Sequence, residues 1–423
     1  MTHSRIDEFR QRRFGLFIHW GLYASAARHE WVKQREHLTD EQYQRYFERF
    51  DPDLYDPDAW AEAAQRAGMR YTVLTAKHHD GFCLWDSALT DYCVRGTPYG
   101  KDLIGPFVEA FRGRGLGVGF YYSLLDWHHP DFPIDGLHPA YVEGGTFPDR
   151  DVTKYADYLH GQVEELLTRY GPLDTLWFDF SYANRIKQGK RIYGGKGKAE
   201  WRSEELVEKI RRIQPDILLN NRLELPGDFT TPEQFQPPAP LSTVWEACQT
   251  LNGSWGYHRD NHTWKSPDML IRMLVDSVSK DGNLLLNVGP NGRGEFEPRA
   301  LDTLREIGEW MRLHGRSIHG AGSSPFQAPQ DCRYTQRGDR LYVHVFSWPY
   351  RHLHLPGLAG KVRYAQLLND GSEISMWAPD PKVDNGNVNF FTLPEGTLTL
   401  ELPVQPPDVA VPVIELFLSA SRP

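Results

Sequence analysis

The sequence predicts a (β/α)8 barrel followed by a small antiparallel β-sandwich. Over roughly the first 300 residues, short apolar runs alternate with amphipathic helical patterns, which is typical of a parallel sheet built from strand–helix units. That length fits closure into a barrel. A doubly wound open sheet is the alternative, but the sequence contains no GxGxxG or GxxxxGK turn to support it. Beyond residue 320 the helical patterns stop, and strand-like runs separated by turn signals follow.

Seven apolar runs predict the buried strands of the barrel. They span residues 14–21, 70–78, 116–123, 174–180, 216–222, 242–248 and 282–289. Amphipathic patterns between these runs predict helices. They span residues 57–67, 103–114, 154–170, 203–213 and 267–280. Glycines follow the first three helices as stop signals, and we expect Ser203 and Ser266 to cap the last two.

The second region begins after a stretch rich in Gly, Ser and Pro. We assign residues 1–320 to a catalytic barrel, residues 321–330 to a linker and residues 331–423 to the sandwich. The runs predicted to be strands in the sandwich include residues 388–394. A chain of 423 residues exceeds the roughly 250–300 residues that one hydrophobic core supports, so two domains are expected.

Composition and charge limit the classes of protein to which the chain can belong. The formal net charge is −9 and the Lys and Arg residues are scattered, which argues against a nucleic-acid partner. No apolar stretch is long enough to span a bilayer, and the first residues carry no signal-peptide pattern. We therefore expect no membrane partner and a cytoplasmic location, or a secreted or periplasmic one if a signal peptide has been removed. Whether the protein forms homo-oligomers is left open.

Polar side chains occupy the predicted carboxyl ends of the strands, where barrel enzymes gather their reactive groups. Asp179 is the most informative of them, because it comes late in a strand made mainly of Leu, Trp and Phe. A buried carboxylate is costly unless it is paired or used, and this setting favours a catalytic role over a structural one. The other polar residues at these ends are His19, His78, His79, Tyr121, Arg222, Glu246 and Asn287.

The two histidines at the end of the second strand do not have the spacing of a metal site. His78 and His79 are adjacent, so their side chains point to opposite faces of a strand and one ion would rarely bind both. No HExxH pattern occurs in the sequence, and we predict neither a metal nor another cofactor. Neutral histidines that hydrogen-bond a polyhydroxylated ligand fit the pattern better.

Carboxylates, aromatic residues, His and Arg without a phosphate-binding loop suit glycoside hydrolysis, which requires two carboxyl groups. Asp179 on a rigid strand end suits a nucleophile, whose position has to be held closely. The general acid/base can be supplied by a loop. Glu233, in a loop after the fifth strand, and Glu246 are the candidates, and Glu224 and Asp228 are further carboxylates of the same part of the chain.

The chain contains a series of long motifs in a definite order. They are FGLFIHWGLYA, EWV at 30–32, AKHHDGFCLWDS, GFYYSLLDW, LWFDF, NNR, GDFTTPEQF, WEACQTLNGSWGY and SKDGNLLLNVGPNGRG. Together these motifs resemble the α-L-fucosidases of glycoside hydrolase family 29. The likeness extends from about residue 12 to about residue 320.

The resemblance implies a retaining, cofactor-free mechanism by double displacement. It matches Asp179 to the nucleophile that attacks C1 of fucose and Glu233 to the acid/base, with Glu246 as the reserve candidate. Further residues match those that hold the fucose hydroxyls, crowd the nucleophile or enclose the sugar. They are His19, Glu30, Trp31, His78, His79, Tyr121, Trp177, Arg222 and Trp255.

We therefore expect a retaining exo-α-L-fucosidase that acts on a fucosylated oligosaccharide or glycoconjugate. The stretch GDFTTPEQ is similar to the branch of the family that prefers α-1,3/1,4-linked fucose. A broad-specificity enzyme for simple aryl or α-1,2/1,6 fucosides is the alternative. A barrel metallohydrolase and a non-catalytic sugar-binding protein are the remaining hypotheses.

Overall fold

The fold was analysed in a computed structural model, which describes residues 4–183, 186–187, 190–378 and 393–419. The strand predicted over residues 388–394 lies mostly outside the described residues. Among the helices that are described, none is long and apolar enough to cross a membrane.

Seven parallel strands form one curved sheet in the first part of the chain. They are β1 (Phe14–Ile18), β2 (Tyr71–Lys77), β3 (Gly117–Ser123), β4 (Thr175–Asp179), β5 (Leu218–Leu219), β6 (Glu246–Thr250) and β7 (Asn283–Val288). Their order in the sheet is β5-β4-β3-β2-β1-β7-β6, and every pairing between neighbours is parallel. This sheet, with helices following its strands, confirms the predicted barrel class.

The segment 229–234 lies between the two edge strands of this sheet. Parallel bridges join Phe229 to Asn220, next to β5, and Thr230 to Trp245, next to β6. Two further backbone bonds tie the segment to β6, from Cys248 N to Pro232 O at 3.0 Å and from residue 234 N to Cys248 O at 3.0 Å. The segment therefore takes the place between β5 and β6 where an eighth barrel strand would lie. The segment is not a regular strand, as predicted for a loop, but isolated bridges tie it to both neighbouring strands.

Helices follow the strands and cover the outside of the sheet. They are α1 (Arg5–Arg12), α2 (Leu22–Ala26), α3 (Val32–Arg35), α4 (Asp40–Phe47), α5 (Pro57–Arg66), α6 (Ile104–Gly113), α7 (Val152–Arg169), α8 (Lys198–Trp201), α9 (Ser203–Ile213), α10 (Pro267–Ser279) and α11 (Pro298–His314). The five predicted helices correspond to α5, α6, α7, α9 and α10. A short antiparallel hairpin of Ile186–Lys187 and Lys190–Arg191 lies between β4 and α8.

Local capping explains which helix starts were predicted correctly. The Ser266 side chain accepts a hydrogen bond from Met269 N, as expected for the start of α10. Ser203 does not cap α9, because the residue at that position is Arg202, whose backbone is left-handed. We did not predict α11, and the residue before it, Glu297, makes no capping bond that a sequence pattern would reflect.

The start of β6 corrects the predicted position of Glu246. The sequence placed Glu246 near the carboxyl end of a strand, but β6 begins at this residue and runs on to Thr250. Glu246 pairs in register with Asn283, the first residue of β7. Because parallel strands share one direction, Glu246 lies toward the amino end of the barrel and away from the rim that carries Asp179.

The chain beyond residue 320 forms two antiparallel sheets that share one apolar core. Their strands are β8 (Cys332–Arg337), β9 (Arg340–Val345), β10 (His352–Leu355), β11 (Val362–Leu367), β12 (Ser375–Trp377), β13 (Leu398–Glu401) and β14 (Val413–Leu418). The four-stranded sheet has the order β8-β9-β14-β11 and the three-stranded sheet the order β10-β13-β12. This arrangement confirms the predicted sandwich. It docks on α11, where Trp310 Nε1 donates to Val411 O at 2.9 Å.

Candidate active site

A small recess opens at the carboxyl ends of the barrel strands. The lining brings together ten of the twelve residues predicted from the sequence. They are His19, Trp31, His78, His79, Tyr121, Trp177, Asp179, Arg222, Glu233 and Trp255. The remaining two, Glu30 and Glu246, lie behind the lining.

Asp179 is the last residue of β4, and its carboxylate is held by two donors. The Tyr121 hydroxyl donates to Oδ2 at 2.8 Å, and Arg222 Nη1 donates to Oδ1 at 2.7 Å. The side chain is only 12 % exposed. A guanidinium and a hydroxyl donor offset the cost of burying a carboxyl group. These two partners explain how Asp179 is accommodated among aromatic residues, and they hold its side chain facing the recess.

Arg222 joins Asp179 to the second carboxylate of the recess. Its Nη2 lies 2.8 Å from Glu233 Oε2, while its Nε donates to Thr231 Oγ1 at 2.9 Å. The guanidinium also stacks on the Trp177 ring, with 4.5 Å between its carbon and the ring centroid. Burial lowers the pKa of Arg222, but the charges of Asp179 and Glu233 outweigh burial and raise it above its ordinary value.

Glu233 differs from Asp179 in its access to solvent. Its side chain is 42 % exposed, whereas that of Asp179 is largely covered. The pairing of its segment with β6 fixes the backbone on which it sits. The recess therefore contains one covered and one open carboxylate on the two ends of a single guanidinium.

The histidine at the edge of Asp179 is oriented by Ser123. Ser123 Oγ donates to Leu125 O at 2.8 Å, so it accepts the proton of His79 Nδ1, which lies 2.6 Å away. His79 Nε2 lies 4.0 Å from Asp179 Oδ2. The imidazole is thus held next to the carboxylate.

Two further histidines are kept neutral by burial. His19 Nδ1 donates to Asn287 Oδ1 at 2.7 Å, and burial lowers the pKa of His19 to about 3. Burial and the neighbouring His79 and His19 lower the pKa of His78 well below its ordinary value. His78 Nδ1 is buried without a hydrogen-bond partner among the described residues. Neutral imidazoles suit a ligand with several hydroxyl groups and no charge.

Glu30 holds one wall of the recess from behind. Its Oε2 accepts hydrogen bonds from the backbone nitrogens of Trp255, at 3.1 Å, and Gly256, at 2.9 Å. Asn287 Nδ2 donates to the carbonyl of Trp255 at 2.7 Å, so the indole is held from both sides of its peptide unit. Burial raises the pKa of Glu30 to about 7. The structure thus places Glu30 behind Trp255, and a direct contact with sugar stays a prediction.

Glu246 lies inside the barrel beneath the Trp177 indole. Trp177 Nε1 donates to its Oε1 at 3.2 Å, and the Tyr71 hydroxyl donates to its Oε2. Tyr71 reaches this position because Gly15 leaves room for its ring, where a Cβ atom would stand 2.5 Å from the ring carbon Cζ. Burial raises the pKa of Glu246 to about 7.

Three apolar residues of the lining were missed by the sequence analysis: Phe17, Phe180 and Cys248. Phe180 has a left-handed backbone, with φ of 78°, and its ring lies 5.0 Å from that of His79 and 5.3 Å from that of Trp31. Its position directly after Asp179 was a signal that could have been used. Asn287 was noted as a polar strand end, but its role in holding His19 was not foreseen.

Among the described residues, no group of three or more His, Cys, Asp and Glu side chains has the geometry to hold a metal ion. The four cysteines are free thiols and are all buried.

Comparison with known proteins places these residues in a family context. The family model described as Alpha-L-fucosidase matches residues 2–316. The tissue alpha-L-fucosidase of Rattus norvegicus is 27% identical over 93% of this chain and 87% of its own length. The alpha-L-fucosidase of Dictyostelium discoideum is 28% identical over 80% of this chain and 77% of its own length.

Solved structures are similar over nearly the whole chain. Alpha-L-fucosidase isoenzyme 1 from Paenibacillus thiaminolyticus has a TM-score of 0.89 and 46% identity, covering 98% of this chain and 99% of that one. An alpha-L-fucosidase of family GH29 from Bacteroides thetaiotaomicron has a TM-score of 0.85 and 27% identity, covering 99% of this chain and 97% of that one. That enzyme was trapped as a covalent intermediate with 2-fluoro-fucosyl fluoride, in a mutant with glutamine in place of a glutamate.

Proposed function

The chain belongs to the alpha-L-fucosidase family, and we propose that it hydrolyses terminal α-L-fucosyl linkages through a covalent fucosyl-enzyme on Asp179. The single observation that carries this proposal is the sharing of one guanidinium, that of Arg222, by Asp179 and Glu233. A retaining glycosidase needs its two carboxyl groups close together, about 5–5.5 Å apart, and a shared guanidinium favours such a spacing over the wider gap of an inverting enzyme.

Asp179 is the proposed nucleophile. In the first step its carboxylate oxygen forms a bond to C1 of fucose while the bond from C1 to the glycosidic oxygen breaks. Tyr121 and Arg222 hold the carboxylate in one orientation, which is what attack at C1 requires. Its position at the end of β4 fixes it more firmly than a loop would.

Glu233 is the proposed acid/base. It gives its proton to the departing oxygen in the first step and takes a proton from water in the second, when the water oxygen replaces Asp179 at C1. Its exposure supports this role, because the leaving group and the incoming water both pass through solvent. Glu246 is not suited to the role, since it lies below Trp177 and does not line the recess.

The recess offers complementary groups for a 6-deoxy sugar. His19 and His78 present neutral imidazoles for hydroxyl groups, and Trp177 and Trp255 present apolar faces for the methyl group and the ring. The small size of the recess supports exo action on one terminal sugar. The substrate is then a fucosylated oligosaccharide or glycoconjugate.

The linkage is a finer part of the proposal. The stretch GDFTTPEQ supports a preference for α-1,3/1,4-linked fucose. We expect faster turnover of a Lewis-type trisaccharide than of nitrophenyl fucoside. A strong preference for the aryl substrate would instead favour the broad-specificity alternative.

The proposed intermediate can be trapped directly. The protein is incubated with 2-deoxy-2-fluoro-fucosyl fluoride, digested, and its peptides are mapped by mass spectrometry. The expected result is one fluorofucosyl group on Asp179. The fluorine at C2 slows both steps, but the good fluoride leaving group keeps the first step faster than the second, so the intermediate accumulates. Labelling of another residue, or inactivation without any label, would overturn the assignment.

A further inference from the structure

The segment that carries Glu233 also carries an exposed aromatic residue, Phe235, which the proposed mechanism does not use. Its side chain is 57 % exposed. Single exposed apolar residues are common on protein surfaces and usually mean little. Phe235 differs because of its neighbours in the chain and because of where the leaving group must depart.

The backbone around Phe235 is held on both sides. Gln234 donates from its backbone nitrogen to Cys248 O at 3.0 Å and from its side-chain amide to Thr250 Oγ1 at 2.7 Å. On the other side, Gln236 Oε1 accepts from Ser277 Oγ at 3.1 Å. An exposed phenylalanine on a held backbone is presented to solvent in one place.

Gln234 has an unusual backbone conformation that bears on this presentation. Its φ is 48°, in the left-handed region that residues other than glycine rarely adopt. Strained backbone of this kind persists where the surrounding structure holds it, and it concentrates at functional sites. The turn it makes separates Glu233, which lines the recess, from Phe235, which does not.

The position of Phe235 relative to the leaving group follows from the chain itself. Two residues of extended chain span at most about 7 Å, so the Cα atom of Phe235 lies within that distance of the Cα atom of Glu233. A general acid has to reach the glycosidic oxygen, so the first sugar of the leaving group lies beside Glu233. The Cα atom of Phe235 is thus close enough to Glu233 for its ring to extend to that sugar, and Phe235 does not line the recess itself.

We propose that Phe235 forms the binding site for the sugar next to fucose, by stacking its ring on the apolar C–H face of a pyranose. This inference rests on the proposed function of Glu233 as the acid. An aromatic ring supplies a large rigid contact at low cost in conformational entropy, which suits a platform of this kind. Phe235 then contributes to the selection of oligosaccharides and takes no part in the bond changes at C1.

The test compares Phe235→Ala and Phe235→Trp with the wild type on two substrates. One is α-L-fucosyl fluoride, whose leaving group is a single atom that cannot touch Phe235. The other is whichever of a Lewis-type trisaccharide and 2′-fucosyllactose the wild type cleaves faster. We expect Phe235→Ala to lower kcat/KM on the oligosaccharide about 10-fold and on the fluoride less than about twofold, and Phe235→Trp to stay near the wild type.

A matched control is Tyr350→Ala, which removes an aromatic side chain that is 80 % exposed in the C-terminal sandwich. This variant should leave kcat/KM unchanged on both substrates. Equal losses of Phe235→Ala on both substrates, or no loss on the oligosaccharide, would overturn the inference. A wild type that turns over neither substrate would refute the proposed function instead, so the two failures are distinguishable.

Discussion

The carboxyl groups on the two sides of Trp177 have different kinds of hydrogen-bonding partner. On the rim, Asp179 and Glu233 share the guanidinium of Arg222, which stacks on the Trp177 ring. Inside the barrel, Glu246 receives only neutral donors, and burial raises its pKa to about 7. Burial beside a cation keeps a carboxylate charged, whereas burial without one favours the protonated form.

The difference distinguishes the carboxyl groups proposed to react from the one that supports the site. A nucleophile has to be ionised and aimed, so the rim combines a cation with hydrogen bonds and an opening to solvent. Glu246 orients Trp177 from below by accepting its N–H proton, and it contributes to the site only through that ring. Each of the following predictions changes one side of this comparison.

Replacement of Asp179 removes the covered carboxylate of the rim and should have the largest effect. We expect Asp179→Ala to lower kcat on nitrophenyl fucoside by at least about 10⁴-fold, because the variant lacks the carboxylate that forms the bond to C1. Added azide should restore part of the turnover and yield fucosyl azide of inverted configuration, detectable by NMR. A variant that kept more than about a tenth of the activity would show that another residue is the nucleophile.

Replacement of Arg222 removes the cation that distinguishes the two regions. Arg222→Gln should lower kcat/KM about 10²- to 10³-fold, since Asp179 loses its charged partner and Glu233 its position. Steady-state kinetics on nitrophenyl fucoside measure the loss. Arg305→Gln on α11, which breaks an exposed ion pair with Glu309, is the matched control and should be neutral. Similar rates for both variants would refute the role of the shared guanidinium.

Variants of Glu30 test whether this buried carboxyl group supports sugar binding through its hydrogen bonds to the backbone. Glu30→Ala leaves the nitrogens of Trp255 and Gly256 without their acceptor, so KM for fucosides should rise about 10-fold. Glu30→Gln retains an acceptor oxygen and should stay near the wild type. If the glutamine variant loses as much as the alanine variant, the carboxylate contacts the sugar directly, as the sequence comparison predicted.

Glu246 should affect stability more than catalysis, with a definite dependence on pH. Between pH 4.5, its ordinary pKa, and about 7, the unfolded chain is ionised at this residue while the folded protein retains the proton. Raising the pH through this window therefore destabilises the fold, by about 3 kcal/mol in all. Glu246→Gln should lessen the fall in melting temperature between pH 5 and pH 7.5 by about 3–5 °C. Parallel melting curves for the variant and the wild type would contradict the raised pKa.

The sequence was most informative where one simple rule applies. Parallel strands end on the same edge of a sheet, so Asp179, Tyr121 and His79 were expected together before any geometry was known. Arg222 was expected at a strand end by the same rule, whereas Trp255 was assigned from the family resemblance, and the structure places both in the same recess.

The features that could not be predicted depend on where strands begin and on contacts between residues far apart in the chain. Glu246 was placed on the wrong side of Trp177 because β6 begins four residues later than the apolar pattern at 242–248 suggested. The segment 229–234 pairs with its neighbours through isolated bridges, and its Thr-Thr-Pro sequence resembles a loop. The left-handed backbone of Phe180 and the contact of Glu30 with Trp255 leave no periodic signal in a sequence.

The central claim, that Glu233 rather than Glu246 is the acid, is tested most directly by leaving-group dependence. Glu233→Gln and Glu246→Gln are each assayed on a fucosylated oligosaccharide, whose leaving oxygen needs a proton, and on fucosyl fluoride, which needs little help. We predict that Glu233→Gln loses at least about 10³-fold on the oligosaccharide and less than about 10-fold on the fluoride, while Glu246→Gln changes little on both. The reverse pattern, with the strong leaving-group dependence in Glu246→Gln, would contradict the account.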